Sequence, residues 1–264
     1  MGRIIAIANQ KGGVGKTTTA VNLAAALSEA RRRVLLVDLD PQGNATMASG
    51  IDKRALARSG CEVLLEECPP AEAILHTHAG FDLLPGNGDL TAAELKLMEA
   101  LAREHRLREA LDPLRADYHY ILIDCPPSLH LLTINALTAA DGVIVPMQCE
   151  YFALEGLSAL SDTIRAVKAR LNPGLEIEGV LRTMYDVRNN LSNEVSAQLQ
   201  EHFGERLYRT VVPRNVRLAE APSHGQSIVE YDRASRGGIA YLGLAGELLR
   251  RERGQAAKQA EGRA

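Results

Sequence analysis

A chain of 264 residues has room for one large α/β domain or two small ones and can bury a sizeable core. With 46% hydrophobic and 24% charged residues it has the balance of an ordinary globular protein. A net charge of −3 excludes a wholly basic nucleic-acid binder but leaves room for a local basic face.

The predicted elements alternate short β-type runs with longer helical ones. Ile4–Ala8 is a strand, Thr17–Ser28 a helix, Val34–Asp38 a buried strand, and Phe81–Leu84 a short strand closed by Pro85-Gly86. Thr91 and Glu94 have capping-box spacing, which predicts a helix from there to about Leu111. Tyr120–Asp124 and Gly142–Pro146 are buried strands, Leu154–Leu171 a helix, and Ile177–Met184 a strand. Ser192–Phe203 is a helix, Leu207–Val212 a strand, and Ser235–Arg253 the final helix. This alternation predicts an α/β fold: a doubly wound, mostly parallel twisted sheet with helices on both faces. Nothing divides the pattern, so residues 1–253 are expected to form a single domain, with the polar segment 254–264 a disordered tail. The first strand begins at once, so no signal peptide is expected, and no apolar run approaches the roughly 18 residues needed to span a bilayer. Cys61, Cys68, Cys125 and Cys149 form no C-x-x-C pair, which predicts reduced thiols and a cytoplasmic setting.

The chemistry concentrates in Gln10-Lys-Gly-Gly-Val-Gly-Lys-Thr-Thr-Thr19, directly after the first strand. A glycine-rich turn between strand and helix gathers backbone N–H groups into one concavity that holds a phosphate chain. In such a P-loop Lys16 neutralises the β/γ-phosphates and the Thr17 hydroxyl ligates Mg²⁺. Gly12, Gly13, Val14, Gly15 and Thr18 complete the cradle. Gln10 stands where the standard pattern has its first glycine, and a second lysine, Lys11, lies five residues before Lys16. On spacing alone Lys11 is a solvated loop lysine. Asp124 ends a buried strand, where a carboxylate either caps a turn or holds Mg²⁺; the apolar run before it and Pro126-Pro127 after it favour the metal. Asp38 and Asp40 end the second strand at its carboxyl edge, where ligands bind in open α/β sheets.

Lys11-Gly-Gly-Val-Gly-Lys-Thr17 resembles the deviant Walker A loop of the ParA/MinD group of ATPases. Val37–Thr46, Ile123–Ser128, Gln148–Gly156 and Pro213–Ser223 extend the resemblance, so that the chain resembles Soj/ParA-type chromosome-partitioning proteins from Met1 to about Arg251. The resemblance implies a P-loop ATPase that uses ATP and Mg²⁺ and forms a homodimer when ATP-bound. It implies that Lys11 reaches the phosphates held by the other subunit, that Asp40 orients the attacking water, and that Asp38 supports the magnesium shell. Pro213, Arg214 and Asn215 match the family's adenine-side loop; their own signal is that of an ordinary turn. No arginine finger is identifiable, so intrinsic hydrolysis is expected to be slow and raised by a partner.

Three outputs occur among relatives. A MinD-like membrane anchor is disfavoured because Gly254–Ala264 has no Leu, Ile, Phe or Trp to insert. A shared iron–sulfur cluster needs two well-placed cysteines per chain; Cys125, directly after Asp124, reads as a buried strand-end thiol, and the other cysteines lie outside any recognisable ligand context. The third output is nonspecific double-stranded DNA, released through a ParB/Spo0J-type partner, in a nucleoid-associated protein. The resemblance selects Arg188 and Arg217 as phosphate contacts, with Arg250 and Arg251 as additions. An ATP-switched DNA-binding regulator of replication initiation is the alternative of another class.

Overall fold

The structure, a computed structural model, describes residues 2–151 and 153–261. Eight strands form one sheet: β1 (Arg3–Ile7), β2 (Val34–Asp38), β3 (Leu75–His76), β4 (Asp82–Leu84), β5 (Tyr120–Asp124), β6 (Gly142–Gln148), β7 (Glu176–Tyr185) and β8 (Leu207–Pro213). Their spatial order is β3-β4-β2-β5-β1-β6-β7-β8, and every pairing is parallel except that of β3 with β4. The central strands are continuous apolar runs because both faces of the sheet are covered. Alternate residues serve opposite faces. Ile4, Leu35, Ile121 and Val143 pack with Leu90, Leu107, Leu137, Leu160 and Leu199 on one side. Ile5, Ile7, Leu36 and Leu122 pack with Leu23, Leu27, Tyr241, Leu244 and Leu248 on the other.

This layering is the doubly wound α/β architecture expected from the sequence. The helix after β1, Lys16–Glu29, lies on one face and leads to β2; the helix after β5, Leu131–Ala139, lies on the other and leads to β6. Neighbouring strands β1 and β5 therefore send their connections in opposite directions. A crevice opens at their carboxyl ends, which is where open α/β sheets hold ligands.

Several local expectations are corrected. The helix expected from Thr91 to Leu111 is two, Asp89–Leu97 and Arg106–Leu111, with Ala102 in a left-handed turn between them (φ 51°). Thr91 lies inside the first of these, and Glu94 instead accepts a hydrogen bond from the Leu132 amide at 3.3 Å. Real capping boxes stand at Ser59/Glu62 and Ser227/Glu230. The antiparallel edge strand β3 and the helix Leu131–Ala139 were not foreseen. The final helix runs Arg236–Glu261 and so carries helical backbone into the segment expected to be a disordered tail; residues 262–264 lie outside the described residues. Gln, Ala, Lys and Glu, which dominate 255–261, are good helix formers, a property that the absence of apolar periodicity hides.

Candidate nucleotide site and arginine surfaces

The glycine loop follows β1 and turns directly into the helix Lys16–Glu29. Gly13 (φ 71°) and Gly15 (φ 86°) occupy the left-handed region that side chains resist, which is why the turn needs glycine at these two places. The helix has no side-chain N-cap and no acidic residue in its first turn, so its opening N–H groups and positive dipole end are left for an anion. Neighbouring strands hold the loop in shape. Asn9 donates from Nδ2 to the Pro146 carbonyl at 2.8 Å and accepts the Lys11 amide on Oδ1 at 3.0 Å. The Thr183 hydroxyl donates to the Val14 carbonyl at 2.8 Å. Sequence reasoning overlooked both Asn9 and Thr183. Asn9 adjoins the loop and was open to notice, but Thr183 reaches it only through the order of β6 and β7.

Lys16, at 7% exposure, donates from Nζ to the Lys11 carbonyl at 3.1 Å. Burial pulls its ammonium below the ordinary value, and the nearby Asp124 charge pulls it back up. Asp124 is fully buried, opposite Ile7 in the register of β1 and β5. Neither carboxylate oxygen has a hydrogen-bond partner among the described residues. Burial, then the Asp38 charge, push this carboxyl well above the usual carboxylate range, and the neighbouring Thr17 hydroxyl only partly eases the effect. A buried carboxylate with two unpartnered oxygens, beside a hydroxyl and below a phosphate-type loop, fits a hard oxygen-seeking cation such as Mg²⁺.

Asp38 and Asp40 differ from Asp124. Asp38 is buried, and its Oδ2 accepts both the amide and the hydroxyl of Thr46 at 2.7 Å, while Oδ1 accepts the Asp40 amide at 3.2 Å. Burial raises its pKa from 3.8 to about 6, against the opposing pull of these hydrogen bonds. The Thr46 hydroxyl in turn accepts the Gly86 amide at 2.9 Å. Asp38 thus fixes the turn that presents Asp40, whose Oδ1 accepts the Gln42 amide at 2.9 Å. Lys11 forms an ion pair with Glu150 at 2.6 Å within the chain, both side chains being substantially exposed.

The remaining candidates fall into two groups. Pro213 ends β8 and Arg214 and Asn215 follow it; Asn215 caps the helix Val216–Glu220 by accepting the Arg217 amide at 2.8 Å, and Arg214 is exposed. Arg188 follows β7 and lies in a bidentate pair with Asp186 (2.8 and 2.9 Å), which holds that carboxyl far below its usual range. Arg217 pairs with Glu220 at 2.9 Å. These residues share the carboxyl edge of the sheet with the glycine loop. Arg250 and Arg251 do not. Arg251 donates to the Leu207 carbonyl at 2.9 Å and Glu247 at 2.8 Å and lies 4.1 Å over the Tyr208 ring, at the amino-terminal start of β8. All four cysteines are buried and free, and burial pushes the Cys125 thiol far up.

A family model described as an AAA domain matches residues 2–177. The chromosome partitioning protein ParA of Caulobacter vibrioides is 51% identical, over 98% of this chain and 98% of its own. The sporulation initiation inhibitor protein Soj of Bacillus subtilis is 53% identical, over 94% of this chain and 98% of its own. Among solved structures, one described as cobyrinic acid a,c-diamide synthase from Mycobacterium smegmatis, with bound ADP and magnesium, is 42% identical, covers 96% of both chains and has a TM-score of 0.85.

Proposed function

Because the chain belongs to the ParA/Soj family of chromosome-partitioning ATPases, we propose that it is a DNA-partitioning switch whose ATP-bound dimer binds DNA nonspecifically and whose hydrolysis, stimulated by a ParB-type partner, releases it. The observation that carries this reading is the orphaned Asp124 carboxylate beside Thr17 and the desolvated Lys16, under a helix N-terminus with no cap of its own. ATP supplies a hydrolysable phosphoanhydride, and Mg²⁺ neutralises its phosphate charge. The amides of Gly12–Thr18 and Lys16 are the phosphate-binding groups; Thr17 and Asp124 are the metal-holding groups, with Asp38 supporting them through the turn it fixes. Asp40 positions water and has little need to deprotonate it, since phosphoryl transfer asks little of a base. Pro213–Asn215 form the adenine side.

Lys11 is the assembly residue. Two nucleotides facing each other repel unless cations stand between them, and a lysine from each chain supplies one. Lys11 must leave Glu150 to do so. Arg188 and Arg217 contact DNA phosphates, exchanging their carboxylate partners for the duplex. Each chain offers few such contacts, so the dimer binds far better than the monomer, and this avidity ties DNA binding to ATP. Contacts confined to the backbone carry no sequence choice and fail with salt. No helix of the described residues is long and apolar enough to cross a membrane. The reading places the protein in the cytoplasm, on the nucleoid.

The test is duplex binding with ATP, ADP or no nucleotide at two salt concentrations. Binding should need ATP and fall steeply with salt. Arg188→Glu and Arg217→Glu should each weaken it by about tenfold while ATP-dependent dimerisation persists. Equal binding without nucleotide would overturn the switch, and a sequence-specific footprint would favour a replication regulator instead.

A further inference from the structure

The edge of the sheet opposite the glycine loop carries a second concentration of cationic groups. A groove of about 1150 Å³ opens across the amino-terminal starts of β1, β2 and β5, between the turn after the helix Lys16–Glu29 and the last helix. Its floor is a neutralised network. Arg115 donates to Asp141 at 2.7 Å, to Asp112 at 2.9 Å and to the Gly2 carbonyl at 3.0 Å. Arg3 pairs with Glu178 and Glu252, and Glu252 also accepts the Tyr120 hydroxyl. The carboxylates at the groove, Asp141 and Glu252, are therefore already matched.

Three other arginines line the groove and have no carboxylate partner among the described residues: Arg32, Arg33 and Arg253. Arg33 and Arg253 are exposed, and the Nε of Arg32 is buried without a hydrogen-bond partner. His119 sits among them with Nδ1 accepting the Arg33 amide at 3.0 Å, which leaves its Nε2 as a donor. The turn that delivers Arg32 and Arg33 places Arg31 in the left-handed region (φ 58°), a conformation glycine adopts freely and arginine only at a cost of about 1 kcal/mol. The chain holds three consecutive arginines at a place where backbone conformation favours glycine.

We propose that this groove is a second anion site, taking a small, multiply charged phosphate ligand through Arg32, Arg33, Arg253 and His119, on the sheet edge opposite the nucleotide site. Guanidinium groups match phosphate oxygens in paired geometry, and a guanidinium without a carboxylate meets a phosphate without first breaking an ion pair. The unpaired Arg32, Arg33 and Arg253 and the exposed His119 line the same open groove. A few unpaired guanidiniums lining one groove suit a small, multiply charged ligand. The site is independent of the partitioning reading, since none of its residues touches the glycine loop.

The test uses the full chain carrying Lys16→Ala, which removes phosphate binding at the loop, titrated with inorganic tripolyphosphate at low salt by calorimetry. One ligand per chain should bind. Arg33→Gln and Arg253→Gln, each added to that background, should each weaken binding about tenfold, the ordinary loss for one charge-assisted contact. Both side chains are exposed and unpaired, so the substitutions leave the fold intact. A parallel titration with a 40-base-pair duplex, run with ATP and an intact Lys16, should be unaffected by the same two substitutions. Absent binding of tripolyphosphate, or binding undiminished by the substitutions, overturns the proposal. So does loss of duplex binding in the Arg33→Gln and Arg253→Gln chains, which assigns the groove to nucleic acid.

Discussion

The two edges of the sheet treat charge in opposite ways. At the carboxyl edge, Asp124 has both oxygens buried and unpartnered, and Lys16 is desolvated against a carbonyl. Near the amino edge, Glu247 is also nearly buried, yet it accepts the amides of Arg209 and Thr210 at 2.9 Å, the Thr210 hydroxyl at 2.8 Å and Arg251 at 2.8 Å. Arg115 and Arg3 are pinned in the same manner. Buried charge is tolerated when it is fully matched and costs several kcal/mol when it is not. Unmatched buried charge, as at Asp124, marks a place that awaits a ligand, and matched charge, as at Glu247, stabilises the fold. The amino-edge groove sharpens the rule, since its unmatched arginines stand out against a matched background.

The largest test of this contrast is Asp124→Asn. It should weaken Mg²⁺-dependent ATP binding by about 10³-fold, roughly 4 kcal/mol, because the amide cannot hold the cation. The ligand-free protein should lose no stability and should gain at pH 7 in chemical denaturation, since the substitution removes a buried, poorly matched charge. The pH dependence follows the same logic. Asp38 has its pKa raised from 3.8 to about 6 by burial, and Asp124 is raised by the same cause. A raised acid holds its proton in the folded state when the unfolded chain has released it, so the ligand-free protein loses stability as pH rises from about 4 through 6. Asp124→Asn should flatten that slope. Loss of several kcal/mol of ligand-free stability in Asp124→Asn would break the comparison.

Glu247→Ala is the counterpart at the matched edge and should cost about 2–3 kcal/mol, because it strands two backbone amides and a half-buried guanidinium. Burial pushes the Glu247 carboxyl up, but the hydrogen bonds from Thr210 and Arg209 outweigh it and hold the pKa below the usual value. The stabilisation it supplies is therefore present above the ordinary glutamate range and is lost as pH falls through the depressed value, opposite in sign to Asp38. ATP binding should be unchanged in Glu247→Ala. Urea melts at pH 7 and at pH 3.5 measure both statements.

The sequence made the carboxyl edge readable because its chemistry is local. The glycine spacing, Lys16, Thr17 and the strand-ending Asp124 are contiguous with apolar runs whose buried character is plain, and β1, β2 and β5 came out within a residue of their true bounds. What escaped depends on long-range contact. Thr183 touches the loop only because β7 sits two strands from β1. The helix Leu131–Ala139 is so thoroughly buried that no polar face marks its period, and β3 is two residues long. The capping-box reading of Thr91 failed because Glu94 had a tertiary partner in the Leu132 amide. Arg250 and Arg251, the two additions, carry the same charge as Arg188 and Arg217 but a different place in the fold. In a parallel sheet the start and end of β8 lie at opposite edges, and the strand direction separates the pairs.

The smallest effect is expected at the contact between Lys11 and Glu150, and it tests whether the carboxyl edge holds its assembly residue in reserve. The pair is 2.6 Å apart, but its side chains are 39% and 46% exposed, so it stabilises the monomer by well under 1 kcal/mol. Glu150→Gln should leave the melting temperature within about a degree of the parent. If Lys11 must leave Glu150 to reach the nucleotide of a second chain, removing the carboxylate lowers the cost of dimerisation, and ATP-dependent dimers should form about threefold more tightly by analytical ultracentrifugation. The gain should shrink at high salt, where the pair is already screened. Weaker dimerisation in Glu150→Gln would mean that Glu150 supports Lys11 in the assembled state, and the resting pair would then be part of the interface rather than a restraint on it.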